Sequence, residues 1–251
     1  MPDSPPGVSL LDSLRAQSAA ARNADSFVRR QLADDLRDVD RRLMSAFRWL
    51  DEALPCLEAI RPVVLHRFAI EPVLTIASPR YDRGFVSYRR SEIAGLELIE
   101  RVELFYRMAN DEPIRFEVQL SAVPAMDERL RAAQLAFDYR VPHGDTRAML
   151  RGVFTVTPAV TASVLFCPDY RRRVVMVTLR NVDRLETVTL EFPPEALGEP
   201  ALEDLVRLML GEANTFLRRA PLAGVGAKPR AAAVSLATAT FSPLRKGGAS
   251  R

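Results

Sequence analysis

The chain has 251 residues, 48% of them hydrophobic and 27% charged, with two cysteines and two histidines. Such a composition can bury a substantial core, and it excludes a chain disordered throughout, a disulfide framework and a histidine-rich metal site. The net charge of +3 belongs to the end of the chain, where residues 213–251 carry seven basic side chains and no acid, so nucleic acid is not expected as a partner of the body.

Met1 to Gly7 is acidic and proline-rich where a leader would be basic and then apolar, and residues 1–8 are expected to be disordered. No run approaches the ~18 to 20 apolar residues that span a bilayer, and the expectation is a cytoplasmic protein. Ser9 with Asp12 has the form of a capping box and opens a helix. Along it runs a stripe of Val28, Leu32, Leu36, Val39, Leu43, Phe47, Leu50, Leu54 and Leu57. From Val28 to Leu50 the steps are 4, 4, 3, 4, 4, 3, an eleven-residue repeat of about 3.67 residues per turn that keeps one helix face aimed at a long partner. The opposite face mixes charges, as in Asp34 with Arg37 and Asp38 with Arg41 and Arg42, which solvates it. Pro55 predicts a kink or break before Cys56, and Pro62 an end.

From about Val63 the period changes to 2. Val63 to Ala77 and Phe85 to Arg89 read as strands, with Pro72 confining the first to an edge or a bulge. Residues 96–108 and 114–120 alternate and are separated by the turn residues 109–113, which predicts an antiparallel hairpin. Further strands are expected over 135–141, 148–156, 160–167, 174–180 and 185–192. A helical period returns with Leu202, Leu205, Met209, Ala213 and Phe216 in line, ending on Arg218 and Arg219. Beyond Pro221 the composition falls to small and polar residues, a tail too poor in apolar side chains to order itself.

The fold class is therefore α+β. A long N-terminal helix, a central antiparallel sheet of about seven to nine strands and a C-terminal helix packed on the sheet are followed by a disordered tail. The expected organisation is a disordered N-terminus over 1–8, a coiled-coil-like helix over 9–61, sheet and last helix over 62–220, and a basic tail over 221–251.

Candidate chemistry is sparse. His143 and Asp145 could form a general base with its orienting acid, but they occupy a turn-forming segment. His66 reads as a partly buried histidine with a hydrogen-bond partner, and Cys56 and Cys167 as isolated thiols, although Arg171, Arg172 and Arg173 could activate the second. Tyr170-Arg171-Arg172-Arg173 reads as a hairpin tip, and Arg80-Tyr81-Asp82-Arg83 with Tyr88-Arg89-Arg90 as a second group of arginine beside aromatic rings. No nucleotide, nucleophile or metal motif is present, so no cofactor is assigned and no enzyme is expected. The function read from the sequence is a non-enzymatic interaction or assembly protein. It would self-associate or bind a protein partner through Val28, Leu32, Leu36, Val39, Leu43, Phe47 and Leu50. The alternative is a carrier or sensor of a small apolar ligand held between the curved sheet and the C-terminal helix.

Overall fold

The apolar repeat of the first sixty residues forms one uninterrupted helix, α1 (Leu10–Ile60), in a computed structural model that describes residues 10–141 and 151–221. The helix runs through Pro55, so of the expected kink or break the break does not occur. Pro55 and Asp51, whose carbonyl loses its donor, both lie on the exposed side, while Leu54 and Leu57 are held in the core. The helix stops where Arg61 turns left-handed at φ 49°, its amide donating to Leu57 O at 2.8 Å, just before Pro62.

Among the described residues ten strands follow, in three sheets and not one. β1 (Arg67–Ile70) and β2 (Leu74–Ala77) form a two-stranded hairpin, so the expected single strand is folded in half with Pro72 in its turn, a position that asks for no ladder donor. β3 (Arg80–Ile93), β4 (Leu96–Ala109), β8 (Ala159–Asp169), β9 (Val174–Arg180) and β10 (Thr187–Phe192) make an antiparallel sheet in the order β10-β9-β8-β4-β3. β5 (Ile114–Gln119), β6 (Phe137–Arg140) and β7 (Arg151–Val156) make a smaller one in the order β5-β7-β6.

The expected hairpin between residues 96–108 and 114–120 is absent. β4 pairs with β8 as far as Ala109 opposite Ala159, and β5 takes up pairing with β7 at Ile114 opposite Val156, so the chain bends at 110–113 and keeps its direction. The returning ribbon bends at Thr157-Pro158, where Asn110 N donates to Pro158 O at 2.9 Å. Pro113 and Pro158 each lack a ladder donor, and their placement at the bend divides what would be one sheet into two. Between β5 and β6 lies a helix that the period-2 reading does not anticipate, α2 (Val123–Ala132), which buries Val123, Met126 and Leu130.

One face of the five-stranded sheet presents Val102, Leu104, Tyr106, Val164, Phe166, Val177 and Leu190 to a core that also holds Leu36, Val39, Leu43, Leu50, Leu54 and Leu57 of α1. α1 lies along β3 and β4 and touches the last helix, α3 (Glu199–Leu210). α3 is shorter than the expected line through Phe216. Gly211 takes φ 76° and ends it, and a Cβ there would stand 2.9 Å from His66 N. Phe216 then reaches the core from a 3-10 turn, its ring 5.1 Å from Phe192.

Arg219 does not cap α3; it bonds to buried Asp204 at 2.8 Å, joined there by Thr215 and Arg207. The hydrogen bonds from Thr215 and Arg219 hold the Asp204 carboxyl down at about 2. A depressed native pKa contributes stability that is complete above the ordinary carboxylate value and is lost as pH falls toward 2. The difference in melting temperature between the native chain and Asp204→Asn is therefore expected to shrink as the buffer goes from about pH 5 to about pH 2. A difference constant over that range would remove Asp204 from the acid response.

Candidate functional site

The stripe on α1 divides in two. Leu36, Val39, Leu43 and Leu50 are buried in the core of their own chain, and Phe47 is half-buried with its ring 4.7 Å from Tyr88 in an edge-on contact. Leu32, one turn before Leu36, is 55% exposed, and Phe27 is 67% exposed; Leu11 and Leu14 are exposed as well. The side chain of Val28 lies outside the described residues. Among the described side chains before Leu36, none is buried.

The boundary is pinned by polar contacts. Asp40 accepts Ile99 N at 2.7 Å and pairs with Arg90 at 3.3 Å, and Asp35 pairs with Arg173 at 3.3 Å. The expected tip, Tyr170 to Arg173, does join β8 to β9: Tyr170 is buried and donates to Ile99 O at 2.8 Å, while Arg171, Arg172 and Arg173 are exposed, Arg172 pairing with Glu191 at 2.6 Å. N-terminal to this clamp, α1 is an arm of about 26 residues, roughly 40 Å at 1.5 Å per residue.

The second arginine and aromatic group lies on the edge strand β3. Asp82 gathers Arg107, Arg61 at 3.6 Å and Arg83 at 4.0 Å. Beside this hub a cleft of about 220 Å³ opens between the end of α1 and the strands, lined by Glu58, Arg83, Gly84, Phe85, Phe105 and Arg107. Phe85 and Phe105 stack at 5.3 Å, and Phe85 remains 47% exposed. None of the cleft's glycine and phenylalanine residues was singled out from the sequence as a site. The available signal was Gly84, an isolated glycine inside a strand pattern, which marks a close approach. A Cβ at Gly84 would stand 2.3 Å from the Tyr81 hydroxyl.

Tyr81 and Tyr106 are buried with rings 6.1 Å apart, and neither hydroxyl has a hydrogen-bond partner. Burial pushes both phenols up, so both stay protonated. Removing a buried orphan hydroxyl relieves a desolvation cost of about 1 to 3 kcal/mol, so Tyr106→Phe is expected to melt above the native chain in a thermal scan. A lower melting temperature would mean that the hydroxyl is bonded.

His66 donates from Nε2 to Leu208 O, as expected of a partnered histidine. Cys56 is exposed, and Cys167 is half-buried with its thiol pushed up by desolvation, the opposite of an activated nucleophile. His143 and Asp145 lie outside the described residues, as do the termini expected to be disordered, 1–8 and nearly all of 221–251. Among the described residues no group of acids, histidines and cysteines could hold a metal ion, and no helix is long and apolar enough to cross a membrane. No family model, no curated protein and no solved structure matches this chain.

Proposed function

We propose that the protein is a non-enzymatic assembly module in which a helix-on-sheet body holds out the N-terminal half of α1 for pairing with a second copy of the chain. The observation that carries this reading is the change at Leu36: the apolar stripe is covered by its own sheet from that residue on, whereas Leu32, one turn before it, is exposed. A helix without tertiary cover draws little stability from propensity alone, so an arm with exposed Leu11, Leu14, Phe27 and Leu32 gains by association. Its charges favour a like partner, because both signs are interspersed along it, Asp12, Asp25 and Asp34 among Arg15, Arg22, Arg29 and Arg30. Of the residues read from the sequence as the interface, this assigns Val28 and Leu32 to pairing and Leu36, Val39, Leu43, Phe47 and Leu50 to the body.

The experiment is energy transfer between two labelled pools of the full chain, each carrying one dye at Ser26→Cys in a Cys56→Ser, Cys167→Ala background. Transfer on mixing supports pairing of the arms. Its absence at concentrations where the body is folded counts against the proposal.

A further inference from the structure

We infer that the outer edge of β10 is a docking surface for the chain's own residues 222–225, which add to the five-stranded sheet as an antiparallel strand. This is separate from pairing of the arms and does not depend on it. β10 ends the order of the sheet: β9 pairs with it on one side, and among the described residues no strand pairs with it on the other. A sheet edge presents amides and carbonyls to any extended segment that reaches it. One such bond is already made, for Glu191 N donates to Pro221 O at 3.1 Å. Pro221 is the last residue described, so the tail sets out from the edge itself.

The period of the strand fixes which groups face outward. Glu191 N points away from β9, so the backbone groups of Thr189 and Thr187 point the same way, while Glu186 O, of the other parity, accepts Asn181 N at 2.9 Å on the β9 side. Direction follows from the approach. The Phe216 ring lies 5.1 Å from Phe192, and five residues later Pro221 lies against Glu191, so the chain is travelling back along β10 toward Thr187. A parallel course would next need an amide from residue 193, which is a proline followed by Pro194. Continued antiparallel from Pro221 opposite Glu191, the register sets Ala223 opposite Thr189, Val225 opposite Thr187 and Leu222 beside Leu190. Paired residues share a face and Leu190 is fully buried, so this register puts the leucine of the segment on the core side. The tether at Pro221 gives the segment a high effective concentration at the edge, which favours it over a second copy.

The test is amide hydrogen exchange on the full chain, read residue by residue by NMR, with a melting curve for each variant to check that it folds. The Thr187 and Thr189 amides are expected to exchange at least about tenfold more slowly in the native chain than in Ala223→Pro, which removes the donor to Thr189 O, or in Leu222→Asp, which sets a charge beside Leu190. Ala231→Pro, beyond the segment, is expected to leave both amides protected. Fast exchange of the two amides in the native chain, protection that survives both Ala223→Pro and Leu222→Asp, or protection that Ala231→Pro removes would each overturn the assignment. Protection lost on dilution would overturn it as well, by giving the edge to a second copy.

Discussion

Leu43→Ala is expected to lower the stability of the body by about 2 to 5 kcal/mol, the range for a fully buried leucine whose cavity does not collapse. Leu43 is 1% exposed and sits mid-way along the part of α1 that covers β3 and β4. Arg41→Glu, on the solvent side and paired with Asp38 at 3.6 Å, is expected to change stability by no more than about 0.5 kcal/mol. Urea denaturation followed by circular dichroism separates the two. Equal effects would mean that this stretch of the stripe is not core.

The second large effect is expected at Gly84. A methyl group there meets the Tyr81 hydroxyl at 2.3 Å and Phe105 O at 3.0 Å, and Tyr81 has no room to retreat because its ring is fully buried against Tyr106. Overpacking of this kind costs about 1 to 3 kcal/mol. The clash is mainly with one oxygen, so Tyr81→Phe is expected to recover part of the loss, and the double variant should be more stable than the sum of the single changes implies. Strict additivity in the denaturation free energies would show that the strain lies in the backbone contact with Phe105 and not in the hydroxyl.

The elements that could be read directly from the residues are those where one periodicity dominates. The stripe from Leu36 to Leu57 and the strand over 174–180 are where the spacing places them. The errors come where local and long-range demands diverge. Pro55 is a helix breaker by propensity, yet packing of Leu54 and Leu57 overrides it at a solvated position. Residues 109–113 have turn composition, but whether such a segment reverses or only bends the chain depends on its partner, and the partner ribbon that bends at Thr157-Pro158 is distant in sequence. Gly211 interrupts the apolar line from Leu202 to Phe216, and it ends α3 where the backbone of Leu65 and His66 lies against it.

The candidate sites were less legible for the same reason. An apolar stripe reports that a helix face is covered without saying by what, so the core positions Leu36, Val39, Leu43 and Leu50 could not be told from the exposed Leu32. The cleft draws on α1, β3 and β4, and its arginines read from the sequence as ordinary members of a charged strand face. Asp82 is what gathers them, and that meeting is a product of strand register.

The division of the stripe at Leu36 is tested most directly by sedimentation equilibrium on the full chain and on Phe27→Asp/Leu32→Asp, with a melting curve for each. The native chain is expected to sediment as a multiple of its 28.0 kDa, and the variant as a monomer with an unchanged melting temperature, because both side chains lie outside the body's core. A native chain that is monomeric, or a variant that keeps the native mass, would contradict pairing through the arm. A variant that loses the melting transition would contradict the division itself.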